Sequence, residues 1–274
     1  IQERGKISSI VHYHNSYFVG FLMDGILLLE KQKETDHYQI QSLPINSGVF
    51  CLKKDRFQDV VWIGTDGQGV YLYSNPLYSI KSMVLSNYTE KIERPVRAIY
   101  LDDERTFWVG TKGNGILKIY DYEFDKNISD CRAEVLTTSN SALSSNAVYC
   151  FAKSHRNLLW IGDEEGLTYY SYREKRIKSI PIRIGNEDFK YIHDIYETAD
   201  SELWLASVGM GVVKARIAGT PDNPVIVDAQ RYIINDGELG SNYFFTIYAE
   251  NEANLLFGNK GYGVFRYNET TNGL

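Results

Sequence analysis

The chain has 274 residues, is 43% hydrophobic and carries a formal net charge of −6, which supplies apolar material for a large core and excludes a disordered polypeptide. No segment clusters Lys and Arg, so a nucleic-acid phosphate footprint is excluded and nucleic acid is not an expected partner. Tyr (21) and Phe (12) outnumber Pro (6), which favours strands over helices. Cys51, Cys131 and Cys150 fit neither a dense disulfide framework nor a CxxC metal site. No run approaches the length of a membrane span and the N-terminus lacks a basic, apolar leader pattern. A soluble, untargeted chain is the expectation.

One pattern recurs along the whole chain. Tyr17–Leu28 (YFVGFLMDGILL), Val61–Leu72 (VWIGTDGQGVYL), Phe107–Lys118 (FWVGTKGNGILK), Leu159–Tyr170 (LWIGDEEGLTYY), Leu203–Lys214 (LWLASVGMGVVK) and Leu255–Arg266 (LLFGNKGYGVFR) align on a small anchor residue. The anchors are Gly20, Gly64, Gly110, Gly162, Ala206 and Gly258, spaced about 48 residues apart on average, the period of propeller blades. Upstream of each lies a V-x-x-I segment, Ile7–Ile10, Val49–Leu52, Val96–Ile99, Val148–Phe151, Ile192–Ile195 and Phe244–Ile247, whose first residue precedes the anchor by 13 to 15 positions. Polar turns such as Asp102 to Arg105 and Ser154 to Asn157 join the two segments, so they read as strands A and B of a hairpin. Glycines five after the anchor (Gly69, Gly115, Gly211, Gly263) supply the positive φ of a tight turn into strand C. A more variable strand D, as at Ile80–Leu85 or Ile177–Ile182, completes the unit. Trp62, Trp108, Trp160 and Trp204 all stand two before the anchor, a place that large rings fill between blades. The expected fold is all-β, a β-propeller of four-stranded antiparallel blades forming a single domain over 1–274, with six repeats visible.

The motif LWIGT-x-x-G with its L-S-x-N-x-V-x-x-I lead-in resembles the two-component regulator propeller repeat. Ser139–Phe151 followed by Leu159–Gly166 matches it best, and Asp236–Ile247 matches it again. The resemblance implies the periplasmic sensor region of a hybrid two-component system of Bacteroidetes, binding an oligosaccharide and signalling to a histidine kinase elsewhere in a membrane-bound parent protein. Such sensors usually carry seven-bladed rings, so six repeats read as a ring of six or as part of a seven-bladed one. The sequence departs from the pattern at Ala206, in the absence of Trp from the sixth repeat, and in the absence of kinase or receiver motifs.

No nucleophile with a base, carboxylate pair or metal cluster stands at a recognisable spacing, so the chain reads as non-enzymatic, without cofactor or metal. His12 with His14, and Asp163 to Glu165, read as solvated turn residues. Sequons occur at Asn87, Asn127 and Asn268. In a propeller the D–A and B–C connections emerge on one face, and ligands are held where those loops converge. The candidates there are Ser47 and Phe50, Arg94 and Arg97, Asn146 and Tyr149, Lys190, Tyr191 and His193, and Asn242, Tyr243 and Phe245. They combine aromatic faces, amides and cations, which suit sugar faces, hydroxyls and carboxylates. The competing expectations are a protein-interaction or homodimerisation scaffold and, third, a glycan-active propeller enzyme.

Overall fold

The computed structural model describes residues 5–32, 37–74, 79–83, 85, 92–122, 131–235, 240–251, 253–268 and 273–274. It contains no α-helix among them. The chain divides into two compact units, residues 1–135 and 136–274.

The first unit holds three four-stranded antiparallel sheets. Blade 1 is β1 (Ile7–Tyr13), β2 (Ser16–Phe21), β3 (Ile26–Lys31) and β4 (Tyr38–Ser42). Blade 2 is β5 (Val49–Lys54), β6 (Val60–Thr65), β7 (Val70–Ser74) and β8 (Ser79–Met83), and blade 3 is β9 (Val96–Leu101), β10 (Phe107–Thr111), β11 (Ile116–Ile119) and β12 (Ala133–Leu136). In the second unit, blade 4 comprises β13 (Val148–Lys153), β14 (Leu158–Asp163), β15 (Leu167–Ser171) and β16 (Arg176–Ser179). A two-stranded hairpin, β17 (Arg183–Ile184) and β18 (Glu187–Asp188), leads to blade 5, which is β19 (Ile192–Glu197), β20 (Glu202–Ser207), β21 (Gly211–Thr220) and β22 (Asn223–Tyr232). Blade 6 has three strands among the described residues, β23 (Phe244–Asn251), β24 (Asn254–Asn259) and β25 (Gly263–Asn268). Within every blade the strands pair in chain order, so each repeat is a meander.

Strand A is the inner strand: β1 packs on β5 and β5 on β9, and likewise β13 on β19 and β19 on β23. In blades 2 and 5, each of which lies between two neighbours of its own unit, strand B is buried on both faces almost throughout. All four tryptophans are buried at the same place on strand B. Three of their indole N–H groups donate to carboxylates, one of which, Asp102, lies in a polar turn of the sequence reading. Trp62 Nε1 donates to Asp55 at 2.8 Å, Trp108 Nε1 to Asp102 at 2.8 Å, and Trp160 Nε1 to Glu197 of the next blade at 2.7 Å. Asp55 and Asp102 also accept the turn amides of Phe57 and Gln58, and of Glu104 and Thr106. One buried carboxylate thus closes the A–B turn and holds the ring.

The expected glycine turns are present, with φ of 77° at Gly69, 76° at Gly115, 84° at Gly211 and 83° at Gly263. Anchor glycines have a different cause. A Cβ on Gly64 or Gly162 would lie 2.4 or 2.5 Å from the Sγ of Cys51 or Cys150, which sit across the A–B pair. Ala206 is tolerated because its cross-strand partner Asp194 reaches instead to blade 6, accepting Thr246 Oγ1 at 3.0 Å and the Ile247 amide at 2.7 Å.

Asp163 corrects the sequence reading. It is buried, accepting the Ser144 hydroxyl at 2.5 Å and the Glu165 and Gly166 amides at 2.9 and 3.0 Å. His14 does lie at the A–B turn, at φ 53°, paired with Asp59 at 2.6 Å. Among the described residues no group of three His, Cys, Asp or Glu is placed to hold a metal ion, and no helix is long and apolar enough to cross a membrane. The sequons at Asn87 and Asn127 lie outside the described residues.

Candidate functional site

Every strand A carries a β-bulge at the same repeat position. In blade 2, Val49 pairs with Thr65 and Cys51 with Gly64, which leaves Phe50 as the extra residue. The equivalent shifts single out Ser8 in blade 1, Arg97 in blade 3, Tyr149 in blade 4, His193 in blade 5 and Phe245 in blade 6. A bulge re-aims one side chain out of the alternating register. Here it turns the second residue of each V-x-x-I segment away from the intersheet core, while the residues before and after it keep their places. The sequence carries the signal as a break in period two: in V-F-C-L, V-R-A-I and V-Y-C-F, positions one, three and four are buried and only the second is half-exposed. Sequence reasoning singled out five of these positions, all but Ser8, and missed the bulge that makes them special.

Within each unit the bulged side chains meet. In the first, the Arg97 guanidinium lies over the Phe50 ring, 3.6 Å from its centroid, and the Ser8 hydroxyl donates to the Val49 carbonyl. In the second, Tyr149 and His193 stack with centroids 4.3 Å apart and planes 18° apart, and His193 meets Phe245 edge-on at 5.2 Å. These side chains are all half-buried except Ser8, which is buried. The result is a row along the inner strands of each unit, a guanidinium over a ring in the first and three packed rings in the second.

The connections beside the rows are fixed by a bond repeated in all six blades. The amide two residues after the anchor donates to the carbonyl just before strand A: Leu22 to Lys6, Asp66 to Gly48, Lys112 to Pro95, Glu164 to Ala147, Val208 to Tyr191 and Lys260 to Tyr243, at 2.8 to 3.1 Å. This bond brings each blade's B–C turn against its lead-in to strand A, so the two connections share one face as expected.

The remaining candidates divide by role. Asn146 accepts the Thr138 amide at 2.9 Å, and Asn242 both accepts from and donates to the Ile234 backbone, at 2.7 and 3.0 Å. These amides hold loops. Ser47 donates to the Asp66 carbonyl at 2.8 Å, and Arg94, exposed, gives its backbone amide to Asn114 at 2.8 Å. Lys190 Nζ pairs with Glu165 at 2.5 Å, which raises its pKa. Tyr191 and Tyr243 are exposed on the loop face, Tyr191 at φ 55° and Tyr243 with Lys260 Nζ 5.0 Å from its ring centroid.

No family model matches the chain. The solved structures that resemble it include the extracellular domain of the putative hybrid two-component system BT3049 of B. thetaiotaomicron, at 21% identity and TM-score 0.71, covering 98% of this chain and 34% of that one. The fold is a β-propeller with six blades. PorZ, a surface component of the type-IX secretion system of Porphyromonas gingivalis, gives TM-score 0.66 at 15% identity over 98% of this chain and 39% of that one. A virginiamycin B lyase from Staphylococcus aureus gives 0.66 at 14% over 97% and 85%. Among curated proteins, translation initiation factor 6 of Saccharolobus solfataricus is 31% identical over 140 residues, covering 46% of this chain and 57% of that protein. The propeller therefore spans about a third of the length of the BT3049 chain and just over half of the initiation factor.

Proposed function

We propose that this propeller is the ligand-sensing module of a hybrid two-component sensor, placed outside the cytoplasm, which binds an oligosaccharide and passes the change to a histidine kinase elsewhere in its parent protein. The observation that carries the reading is the set of six bulges, which spend backbone regularity in every blade to present one side chain each on the inner strands. Structural aromatics need no such device, as the four tryptophans show. Rings such as Tyr149 and Phe245 stack on the apolar faces of sugars, and a guanidinium spread over Phe50 pairs in two-pronged fashion with a carboxylate or sulfate. The likeness to BT3049 supports the setting. Binding without catalysis is part of the proposal.

The test is a glycan array followed by isothermal titration of wild type, Arg97→Ala and Tyr149→Ala against any glycan that scores, with the same mixtures assayed for product. Loss of one stacking or charge-paired contact weakens affinity about tenfold or more. Unchanged affinity in both variants, with folding intact, overturns the site, and product formation overturns the non-catalytic reading. A protein-interaction role has one observation of its own: Val225 and Val227 stand exposed on β22, the outer strand of blade 5.

A further inference from the structure

Three positions of each repeat meet at the loop-face corner of a blade: the residue two before strand A, the bulged residue, and the residue two after the anchor. Blade 3 fills all three with permanent cations, Arg94, Arg97 and Lys112, and no other blade does. Blade 2 has Ser47, Phe50 and Asp66 there, and blade 4 has Asn146, Tyr149 and Glu164. The chain as a whole carries a net charge of −6, so this concentration of positive charge runs against its average. Like charges at close quarters repel unless solvent or a counter-charge answers them.

Backbone bonds hold the three residues at one place. The Lys112 amide donates to the Pro95 carbonyl at 2.9 Å, which ties the turn to the lead-in between Arg94 and Arg97. Asn114 of the same turn accepts the Glu93 and Arg94 amides at 3.1 and 2.8 Å. A Cβ on Gly113 would lie 3.7 Å from Arg94 Cγ, so the Arg94 stem runs beside the turn. Arg97 stacks on Phe50, a contact that covers one face of the guanidinium while its N–H donors radiate in the plane. Arg94 and Lys112 are exposed, and among the described residues neither forms an ion pair, although exposed Glu93 is adjacent in sequence. Blade 5 differs, for Lys190 at the position of Arg94 is paired with Glu165.

We propose that the ligand of this module is an acidic oligosaccharide, whose carboxylate or sulfate is held at the corner of blade 3 by Arg97, with Arg94 and Lys112 as flanking charges. The inference rests on the sugar-binding reading and narrows it to one chemical class. A guanidinium matches the two oxygens of a carboxylate or sulfate edge-on, and an ammonium adds a point charge beside it. The hydroxyls of a neutral sugar need no such concentration of charge. In a chain of net negative charge, an anion is drawn to this corner by the local field and not by the molecule's overall charge.

The test pairs acidic glycans with their neutral forms: a uronate-containing oligosaccharide with its carboxyl-reduced counterpart, and a sulfated one with its desulfated counterpart. Each is titrated calorimetrically against wild type, the double variant Arg94→Gln/Lys112→Gln, and the control Lys175→Gln, which removes an exposed lysine of blade 4. In wild type an acidic member should bind about tenfold or more tightly than its neutral partner, and added salt should shrink that advantage. The double variant should lose most of it, with an unchanged circular dichroism spectrum, and the control should keep it. Equal affinity for acidic and neutral members overturns the inference and leaves the sugar-binding reading standing. So does a glycan array in which only neutral glycans score. A full advantage retained in the double variant, or an equal loss in the control, also overturns it. Binding of no glycan at all removes the sugar-binding reading, and this inference with it.

Discussion

At the scale of single residues, buried carboxylates do two kinds of work. Asp55 carries one indole N–H and two turn amides. Asp55→Ala strands three donors in or beside the core, and the expected cost is about 2–4 kcal/mol in urea unfolding; Asp55→Asn, which keeps an acceptor for the turn amides, should cost less. Equal losses in the two variants would remove the turn amides from the account. Asp163 differs, because burial pushes its carboxyl up to about 6 against the pull of the Ser144 hydroxyl and the Glu165 and Gly166 amides. The folded chain therefore holds this proton more tightly than the unfolded chain does. Stability from this group is fully present below the ordinary carboxyl value near 3.8 and is lost as pH rises through 6. A shift of this size is worth roughly 3 kcal/mol. Asp163→Asn mimics the protonated form, so its stability relative to wild type should rise by up to that amount between about pH 4 and pH 7. A pH-independent difference between the two proteins would refute the assignment.

At the scale of elements, the glycines separate into two kinds that one substitution distinguishes. Gly211 combines φ 84° with a Cβ position 2.3 Å from the Tyr232 carbonyl oxygen, whereas Gly263 has φ 83° and open space. Gly263→Ala pays only for the left-handed backbone, about 1–2 kcal/mol. Gly211→Ala must in addition displace β22, and its melting temperature should fall further; a larger fall at Gly263 would contradict the turn geometry. These elements also show what the sequence revealed and what it hid. Strands A, B and C were legible because V-x-x-I, the Trp and the turn glycine recur at fixed offsets. Strand D was legible only in part: Ile80–Leu85 and Ile177–Ile182 overlap β8 and β16, whereas β4 is exposed throughout and β22 runs ten residues, so no buried position repeats. The β17–β18 hairpin belongs to one inter-blade connection and has no counterpart from which to infer it. For the candidate site, Phe50, Arg97, Tyr149, His193 and Phe245 were legible as one repeat position. Asn146 and Asn242 stand at one repeat position and each accepts the amide eight residues upstream, a loop-holding bond that repeats in two blades and that the residue types alone did not separate from ligand contacts.

At the scale of the whole molecule, a stack of blades transmits stability only between neighbours, so damage should spread by contact rather than by distance along the chain. Trp62 lies in one buried cluster with Val70 and Leu72 of its own blade and Val96, Ile99 and Phe107 of the next, with Phe107 4.5 Å from it between ring centroids. Trp204 lies in another with Phe244, Phe257 and Tyr267 of blade 6. Truncating either indole to Ala removes a large buried ring and should cost about 3–5 kcal/mol. The location of the loss is the sharper expectation. Hydrogen exchange in Trp62→Ala should accelerate across β5 to β11, while β19 to β25 keep their wild-type protection; Trp204→Ala should do the reverse. The division of the chain at residue 135 puts the two clusters in separate compact units, which is the structural reason to expect two independent responses. Uniform loss of protection across all six blades in either variant would show instead that the propeller opens as a single cooperative body, and that nearest-neighbour stacking does not govern its stability.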